Sequence, residues 1–463
     1  MKLNIVGWVL FAAQMAAAQS LSLDAYKAQV MEKDPETQAV LEQKEGAELT
    51  VRQPDLLTNV NLFANSSHLD DQRPTVNPIF QGDRTLVDTF AVGLQQQTRL
   101  GLRWSLSQNI QRTEIDDAPF VPQPRFYDVF PRLELAMPLW RNLLGRETSA
   151  QQDQLRFQAQ ARLKQAEIAW IQRQAIIEET FYNLLSQQEA YAIQKDSLAR
   201  AEKILEWSRG RVQRNLVDEN DLYQSQAAVA QRRIDLTTAE TALKAAARTF
   251  NALRGLAEDD VKEKLVGSEL DLKRLKLDRT LNRVRKDLKA QSDLNMSQAA
   301  GYGAQQEQAK PALDLTVQAQ TQGRNGTFTG ADRRTFQEQD LLYVGLNFSM
   351  PLDQTKASQI RSGFAKLERS QSLLERARLR DELLTWAETV DQAEQIFKQL
   401  QLLRDLEVIQ RKNADAERSR LNRGRSTTFQ VLSFEQTYNT IRAQRIQAEF
   451  QARQFLNQLS LFE

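Results

Sequence analysis

The chain has 463 residues and no cysteine, so disulfides, thiolate chemistry and N-terminal lipidation are excluded. Its 61 Lys and Arg residues against 60 Asp and Glu residues leave a net charge of +1, which argues against a nucleic-acid-binding protein. The single histidine, His68, falls in a predicted surface loop, so histidine-based catalytic or metal sites cannot be assembled. We therefore expect no enzyme, no metal and no cofactor.

Residues 1–18 have the layout of a cleavable secretory signal: Lys2, an apolar run, and the small residues Ala16 to Ala18. We expect cleavage after Ala18. After this segment, no run of the sequence approaches the ~20 apolar residues that a membrane helix needs. If the mature chain crosses a membrane, it must do so as β-strands.

Short segments in which every second residue is apolar predict such strands. They lie at about residues 57–66, 89–98, 100–109, 130–138, 312–321 and 341–350. In the third segment, we expect one face to contact lipid through Leu100, Leu102, Trp104 and Leu106, and the other to line a bore with Arg103 and Ser105. Alternation alone fits a soluble half-buried sheet equally well. The stretches 66–88, 112–128 and 323–339 are predicted extracellular loops.

The chain contains two copies of one plan, each a strand region followed by a long helical hairpin. The duplicated Met-Pro-Leu motif at Met137 and Met350 marks where strand gives way to helix. The first repeat covers residues 19–256 with a hairpin at about 141–255. An equatorial segment and the second repeat cover residues 257–463, with a hairpin at about 354–460.

Apolar residues recur at steps of seven along the first long helix, which is typical of a coiled coil. They are Leu163, Trp170, Ile177, Leu184, Tyr191, Leu198, Leu205 and Val212. A helix from about Asn142 to Arg214 is roughly 110 Å long. Such a rod must pack beside others. The pattern predicts either helices that pack side by side in an assembly or a periplasmic coiled-coil scaffold protein with β-modules.

With its duplicated Met-Pro-Leu motif, its tip turns and Leu253-Arg254-Gly255-Leu256 at the end of the first hairpin, the chain resembles the TolC-like outer membrane efflux family. The resemblance implies a mainly α fold with transmembrane β-strands. It also implies a homotrimer whose strands close into a β-barrel and whose hairpins form an α-barrel reaching into the periplasm. The implied function is a Gram-negative outer membrane channel, in a tripartite efflux or type I secretion system with a periplasmic adaptor protein and an inner membrane pump. Cargo stays open.

The first repeat is longer than the second between equivalent prolines. Pro54 and Pro138 are 84 positions apart, whereas Pro311 and Pro351 are only 40 apart. The surplus holds two extra alternating segments. A chain that enters and leaves the membrane on one side crosses it an even number of times. We therefore favour an added hairpin turning at Thr98-Arg99, giving six strands, with a longer extracellular β-extension as the alternative.

The two hairpin turns are the predicted periplasmic mouth. The residues expected to dock the adaptor are Asn215, Leu216, Val217, Gly424, Arg425 and Ser426. The resemblance implies an acidic gate residue after each turn, and the expected gate residues are Asp221, Arg211, Arg214, Arg423 and Gln430. Asp221 matches the acidic position in the first hairpin, but Gln430 replaces it in the second. Gly424 is expected to supply the left-handed conformation that ends a helix.

Overall fold

The computed structural model describes residues 20–214, 218–270, 272–278, 283–337 and 340–462. The predicted secretory signal and the predicted docking residues Asn215 to Val217 lie outside the described residues. Two compact units share the chain. The helical unit comprises the described residues of Met1–Gly46, Lys164–Leu288 and Arg380–Glu463, and the sheet unit comprises Ala47–Leu163 and Lys289–Leu379.

The chain is mainly helical with one large antiparallel sheet, as predicted. The helices are α1 Leu23–Lys33, α2 Pro35–Thr50, α3 Pro78–Gln81, α4 Arg146–Val212, α5 Glu219–Ala252, α6 Lys286–Gln308, α7 Phe328–Arg334, α8 Gln354–Asn422 and α9 Thr428–Leu459. The strands are β1 Ser20–Ser22, β2 Asn61–Asp71, β3 Arg84–Gln97, β4 Arg103–Asp116, β5 Arg125–Pro138, β6 Lys264–Val266, β7 Ala312–Thr321, β8 Gly323–Asn325 and β9 Asp340–Ser349.

Six long strands form the sheet in the order β2-β3-β4-β5-β7-β9, and the short β8 extends β7 beside β5. Every pairing is antiparallel and keeps one constant register along its length. A constant register without bulges keeps each side chain on one face of the sheet, because side chains alternate with a period of two. Face assignments therefore carry across all six strands.

The strand predictions need three corrections. The first strand begins at Asn61, because Gln53–Thr58 form a 3-10 helix started by Pro54. Leu100 and Leu102 are not lipid-facing strand residues: they lie in the turn between β3 and β4, which Gly101 closes with a φ of +81°. His68 lies inside β2 and not in a loop.

The loops are shorter than predicted. The paired strands extend beyond the segments in which apolar residues alternate. The first loop reduces to residues 72–83, which include α3, and the second to residues 117–124. The third contains β8 and α7. Polar residues pair in these extensions, for example His68 with Asp88, where the distance from Nδ1 to Oδ1 is 2.6 Å.

The turn between β3 and β4 rests on the segment that joins β5 to α4. A Cβ on Gly145, whose φ is +74°, would lie 1.7 Å from the carbonyl oxygen of Arg99, so only glycine fits there. The Gln97 side chain donates to Thr148 Oγ1 at 2.9 Å, and Ser149 Oγ donates to the Arg99 carbonyl at 3.2 Å. The added hairpin thus spans the sheet from its loop end to the start of α4.

An aromatic core holds the helical unit together. Tyr26 of α1 stacks on Phe250 of α5 at 4.1 Å between ring centroids, and Phe181 of α4 lies against both rings. Ile177 and Leu184, two members of the seven-residue stripe, are fully buried in the same cluster. Burying side chains of this size stabilises the unit by about 1.5–3 kcal/mol each.

A buried ion pair fastens the N-terminal helices to α4. Arg173, 5% exposed, pairs with Asp34 just before α2 and donates to Thr37 Oγ1 at 2.8 Å. Burial opposes the charged form of Asp34, but hydrogen bonds from Thr37 and Arg173 outweigh it, so the pKa of Asp34 lies below its usual range.

Helices α1, α2 and α6 have no counterpart in the predicted elements. The Asp34-Pro35 cap and helix start was the overlooked signal for α2.

Candidate functional site

One face of the sheet is apolar across its full width. Directly paired residues form a continuous row, one from each strand: Leu62, Leu94, Leu106, Leu133, Ala319 and Leu342. Parallel rows contain Trp104, Leu135, Val317 and Val344, and then Met137, Leu315 and Leu346. Most of these side chains remain 40–75% exposed, as Leu62 and Leu342 show at 75% and 73%. An exposed apolar surface of this extent needs a partner or a membrane.

The opposite face is polar at the same level. Paired across it are Asn61, Gln95, Ser105, Glu134 and Gln318. The next row of that face, nearer to the start of α4, consists of Gln97, Arg103, Ala136 and Thr316. Arg103 and Ser105 therefore lie on one face of β4 and Trp104 and Leu106 on the other, as the sequence predicted. Alternating apolar and polar faces are the pattern of a transmembrane strand whose inner side lines water.

The apolar band has defined limits. Toward the loops it ends at Phe90 and Ile110, and the next row on that face contains His68, Asp88 and Arg112. Toward α4 it ends at Phe348, whose ring lies 6.5 Å from that of Trp140. Aromatic residues at both limits are typical of the interfaces of a membrane-spanning sheet.

The helical unit brings the starts of α5 and α9 together. Ser208 of α4 is fully buried, and its Oγ lies 3.0 Å from Ser225 Oγ and 3.4 Å from Thr428 Oγ1. Ser225 Oγ donates in turn to the Asp221 carbonyl at 2.9 Å. These small hydroxyl residues allow the helices to approach closely while each buried hydroxyl finds a partner. We call Ser208, Ser225 and Thr428 the hydroxyl cluster.

The second turn is built by local capping. Gly424 has a φ of +70°, the left-handed conformation expected of it, and the Arg425 amide donates to the Arg420 carbonyl at 2.8 Å. Gln430 forms a capping box with Thr427 and accepts from Ser426 Oγ at 3.1 Å. Gln430, which stands where the resemblance implies an acidic residue, therefore stabilises the start of α9.

The predicted gate residues lie near the turns, but they do not form one bonded group within the described chain. Arg211 lies over the Trp207 ring at 4.7 Å, and Arg423 donates back to Ser419. Asp221 is half-buried in the first turn of α5, where a negative charge favours the helix dipole. In the described part of the chain, no hydrogen bond or ion pair joins Asp221 to Arg211, Arg214 or Arg423.

Sequence reasoning missed the residues that join α4, α8 and α9 behind the turns. Glu435 is 5% exposed, and it accepts from Arg200 Nε at 2.9 Å and also from Arg418. It also missed two exposed aromatic residues beside the turns, Tyr223 at 58% and Phe429 at 65% exposed. Only the placement of Phe429 two residues after the Thr427 cap signalled such a role.

The described residues contain no group of histidine and acidic side chains arranged to hold a metal ion. Among the described helices, none combines the length and the apolar character that a membrane crossing requires.

Solved outer membrane proteins and channels share this fold. VceC of Vibrio cholerae is 13% identical with a TM-score of 0.60, over 95% of this chain and 95% of that chain. CmeC of Campylobacter jejuni is 13% identical with a TM-score of 0.60, over 95% of this chain and 85% of that chain. CusC is 10% identical with a TM-score of 0.58, over 97% and 95%. No protein-family model and no curated protein matches the sequence.

At identities this low, the likeness is one of fold. The chain therefore has the fold of the TolC-like outer membrane efflux channels, and the resemblance predicted from the sequence is confirmed at that level.

Proposed function

We propose that this chain is a protomer of an outer membrane channel, which conducts substrates from an inner membrane pump and a periplasmic adaptor to the outside. The two-faced sheet is the observation that carries the proposal. Six strands present apolar rows at one level on one face and polar side chains on the other, as a wall between lipid and water requires. The fold shared with VceC and CmeC supports it.

The sheet requires other copies to close. In the described chain β2 and β9 each pair on one side only, and open edges are not tolerated in lipid. Three copies with six strands each would close an 18-stranded barrel. At ~4.8 Å between strands and a tilt of ~40°, its backbone diameter is about 36 Å, against about 24 Å for twelve strands. The hairpin β3–β4 belongs to this wall, because Leu94 and Leu106 continue the apolar row of the other strands.

The two helical hairpins supply the periplasmic tunnel in this proposal, and their turns supply its mouth. Exposed Gly424, Arg425, Tyr223 and Phe429 are available to an adaptor protein, and aromatic and arginine side chains are enriched in protein interfaces. Asp221 is the proposed gate residue, reached by arginines of a neighbouring protomer.

The test is fractionation followed by reconstitution. The mature protein should require detergent for extraction from outer membranes, migrate as a heat-sensitive oligomer, and produce discrete conductance steps in planar bilayers. The alternative, a periplasmic scaffold protein with β-modules, predicts release by osmotic shock without detergent. Recovery in the soluble periplasmic fraction would refute the channel.

A further inference from the structure

A short helix covers the apolar face of the sheet at its loop end. A Cβ on Gly323, which pairs with Val129, would lie 2.0 Å from the carbonyl oxygen of Ala331 in α7. The backbone of α7 therefore lies on the face to which Val129 points. Ala331 is fully buried, Val129 is 1% exposed, and Thr335 Oγ1 donates to the Val129 carbonyl at 3.3 Å.

This position is the edge of the apolar band. Val129 shares its face with Leu133 and Leu135 through a strand without bulges, and it pairs with Ile110 in the last apolar row. The next row toward the loops contains Arg112 and Tyr127, which are paired. Helix α7 thus lies where apolar side chains give way to charged ones, on the side that contacts lipid in the proposed function.

The exposed surface of α7 and the residues after it combine free cations with aromatic groups. Arg333 and Arg334 are exposed, and neither guanidinium has a hydrogen bond or ion pair within the described residues. Phe328 and Phe336 are 44% and 81% exposed. Asp332 is the one acidic residue of the helix.

The other cations on this face are already paired. Arg84 holds Asp70 through two hydrogen bonds of 2.8 Å, and Arg125 lies 2.5 Å from a carboxylate oxygen of Glu114. These guanidinium groups have carboxylate partners, whereas those of α7 have none among the described residues. Two exposed guanidinium groups without a described carboxylate partner, above an apolar band, match an anionic headgroup anchored in the same lipid layer.

We propose that α7 binds the phosphate of an anionic lipid in the outer leaflet of the membrane, with Arg333 and Arg334 contacting the phosphate and Phe336 entering the interface beside it. The inference rests on the proposed function, which places this end of the sheet at the outer leaflet. The ligand class is a phosphorylated lipid such as lipid A.

The test measures binding of the full-length oligomer in detergent to phosphatidylcholine vesicles with and without lipid A. The double variant Arg333→Gln/Arg334→Gln should bind lipid A vesicles about 30-fold more weakly, at about 1 kcal/mol for each arginine near an anionic surface. Lys366→Gln/Arg369→Gln removes the same charge from exposed positions of α8 and should leave binding unchanged. Equal loss in both variants, or no loss in either, would overturn the proposal.

A second measurement separates this inference from the proposed function. Because the chain has no cysteine, Phe336→Cys and Leu133→Cys each carry a single thiol for a fluorophore. We expect nitroxide on the lipid headgroup to quench the label at position 336, and nitroxide on the acyl chain to quench that at position 133. Quenching at 133 alone would refute the role of α7, whereas quenching at neither position would refute the membrane wall itself.

Discussion

Leu106 is the sharpest point at which to test the membrane wall. It lies in β4 between Leu94 and Leu133, and it is 49% exposed. Along β5, Leu133 stands midway between Val129 and Met137, the outermost residues of the apolar stretch. Leu106→Arg therefore places a guanidinium group at the centre of the proposed lipid-facing band.

The geometry of β5 gives the depth of Leu106 in the membrane, and that depth determines the expected loss of stability. Val129 and Met137 are eight positions apart, which corresponds to about 26 Å along the strand at ~3.3 Å per residue, or about 20 Å along the membrane normal at a tilt of ~40°. Leu106 is then about 10 Å from the level of either residue, close to the midplane. An arginine there should destabilise each protomer by about 2–4 kcal/mol.

Ser105→Arg is the matched control, because Ser105 is the neighbouring residue on the polar face. It pairs with Gln95 on one side and Glu134 on the other, so an arginine there faces water and a carboxylate. We expect this variant to stay within about 0.5 kcal/mol of the parent protein.

Urea titration of the protein folded in lipid vesicles measures the free energy of unfolding, and electrophoresis without heating measures the assembled oligomer. Leu106→Arg should lower both, and Ser105→Arg neither. Equal tolerance of arginine at the two positions would show that the apolar face does not contact lipid, and the argument for a transmembrane sheet would fail.

Three further predictions concern the helical unit. Leu184→Ala should destabilise folding by about 2–5 kcal/mol, because a fully buried side chain leaves a cavity in the aromatic core; chemical denaturation with tryptophan fluorescence checks this. Arg173→Met should cost about 3–5 kcal/mol at neutral pH by leaving a buried carboxylate unpaired, and thermal unfolding of this variant at the parent midpoint would contradict the anchoring role. Asp221→Ala should raise single-channel conductance without lowering the amount of oligomer, and high salt should reproduce part of the rise; conductance unchanged in this variant and in Asp221→Ala/Arg423→Ala would remove Asp221 from the gate.

Much of the fold was visible in the sequence because its strongest signals are local. The period-two alternation of β4 and β9 is visible within ten residues, and the helical hairpins follow from long stretches without glycine or proline. Gly424 marked its turn because few other residues adopt a positive φ at low cost. These features depend on neighbours along the chain.

The candidate site was less accessible, since its defining contacts join residues far apart in sequence. Ser208 meets Thr428 across 220 positions, and no local pattern indicates that pairing. The seven-residue stripe located Leu184 in the core, but Leu198 and Leu205 are only half-buried in the protomer, where Ser197, Ala201 and Ser208 form the buried side of α4.

The sequence alone determined the alternation of apolar and polar residues within each segment. That alternation established strands with one apolar and one polar face. Only the tertiary structure decided that Leu62 and Leu342, at opposite edges of the sheet, share one level with Leu106, because strand register depends on turn geometry and on pairing between distant segments. It alone also placed α7 over Val129, since the face that a helix covers depends on where the chain returns to the sheet.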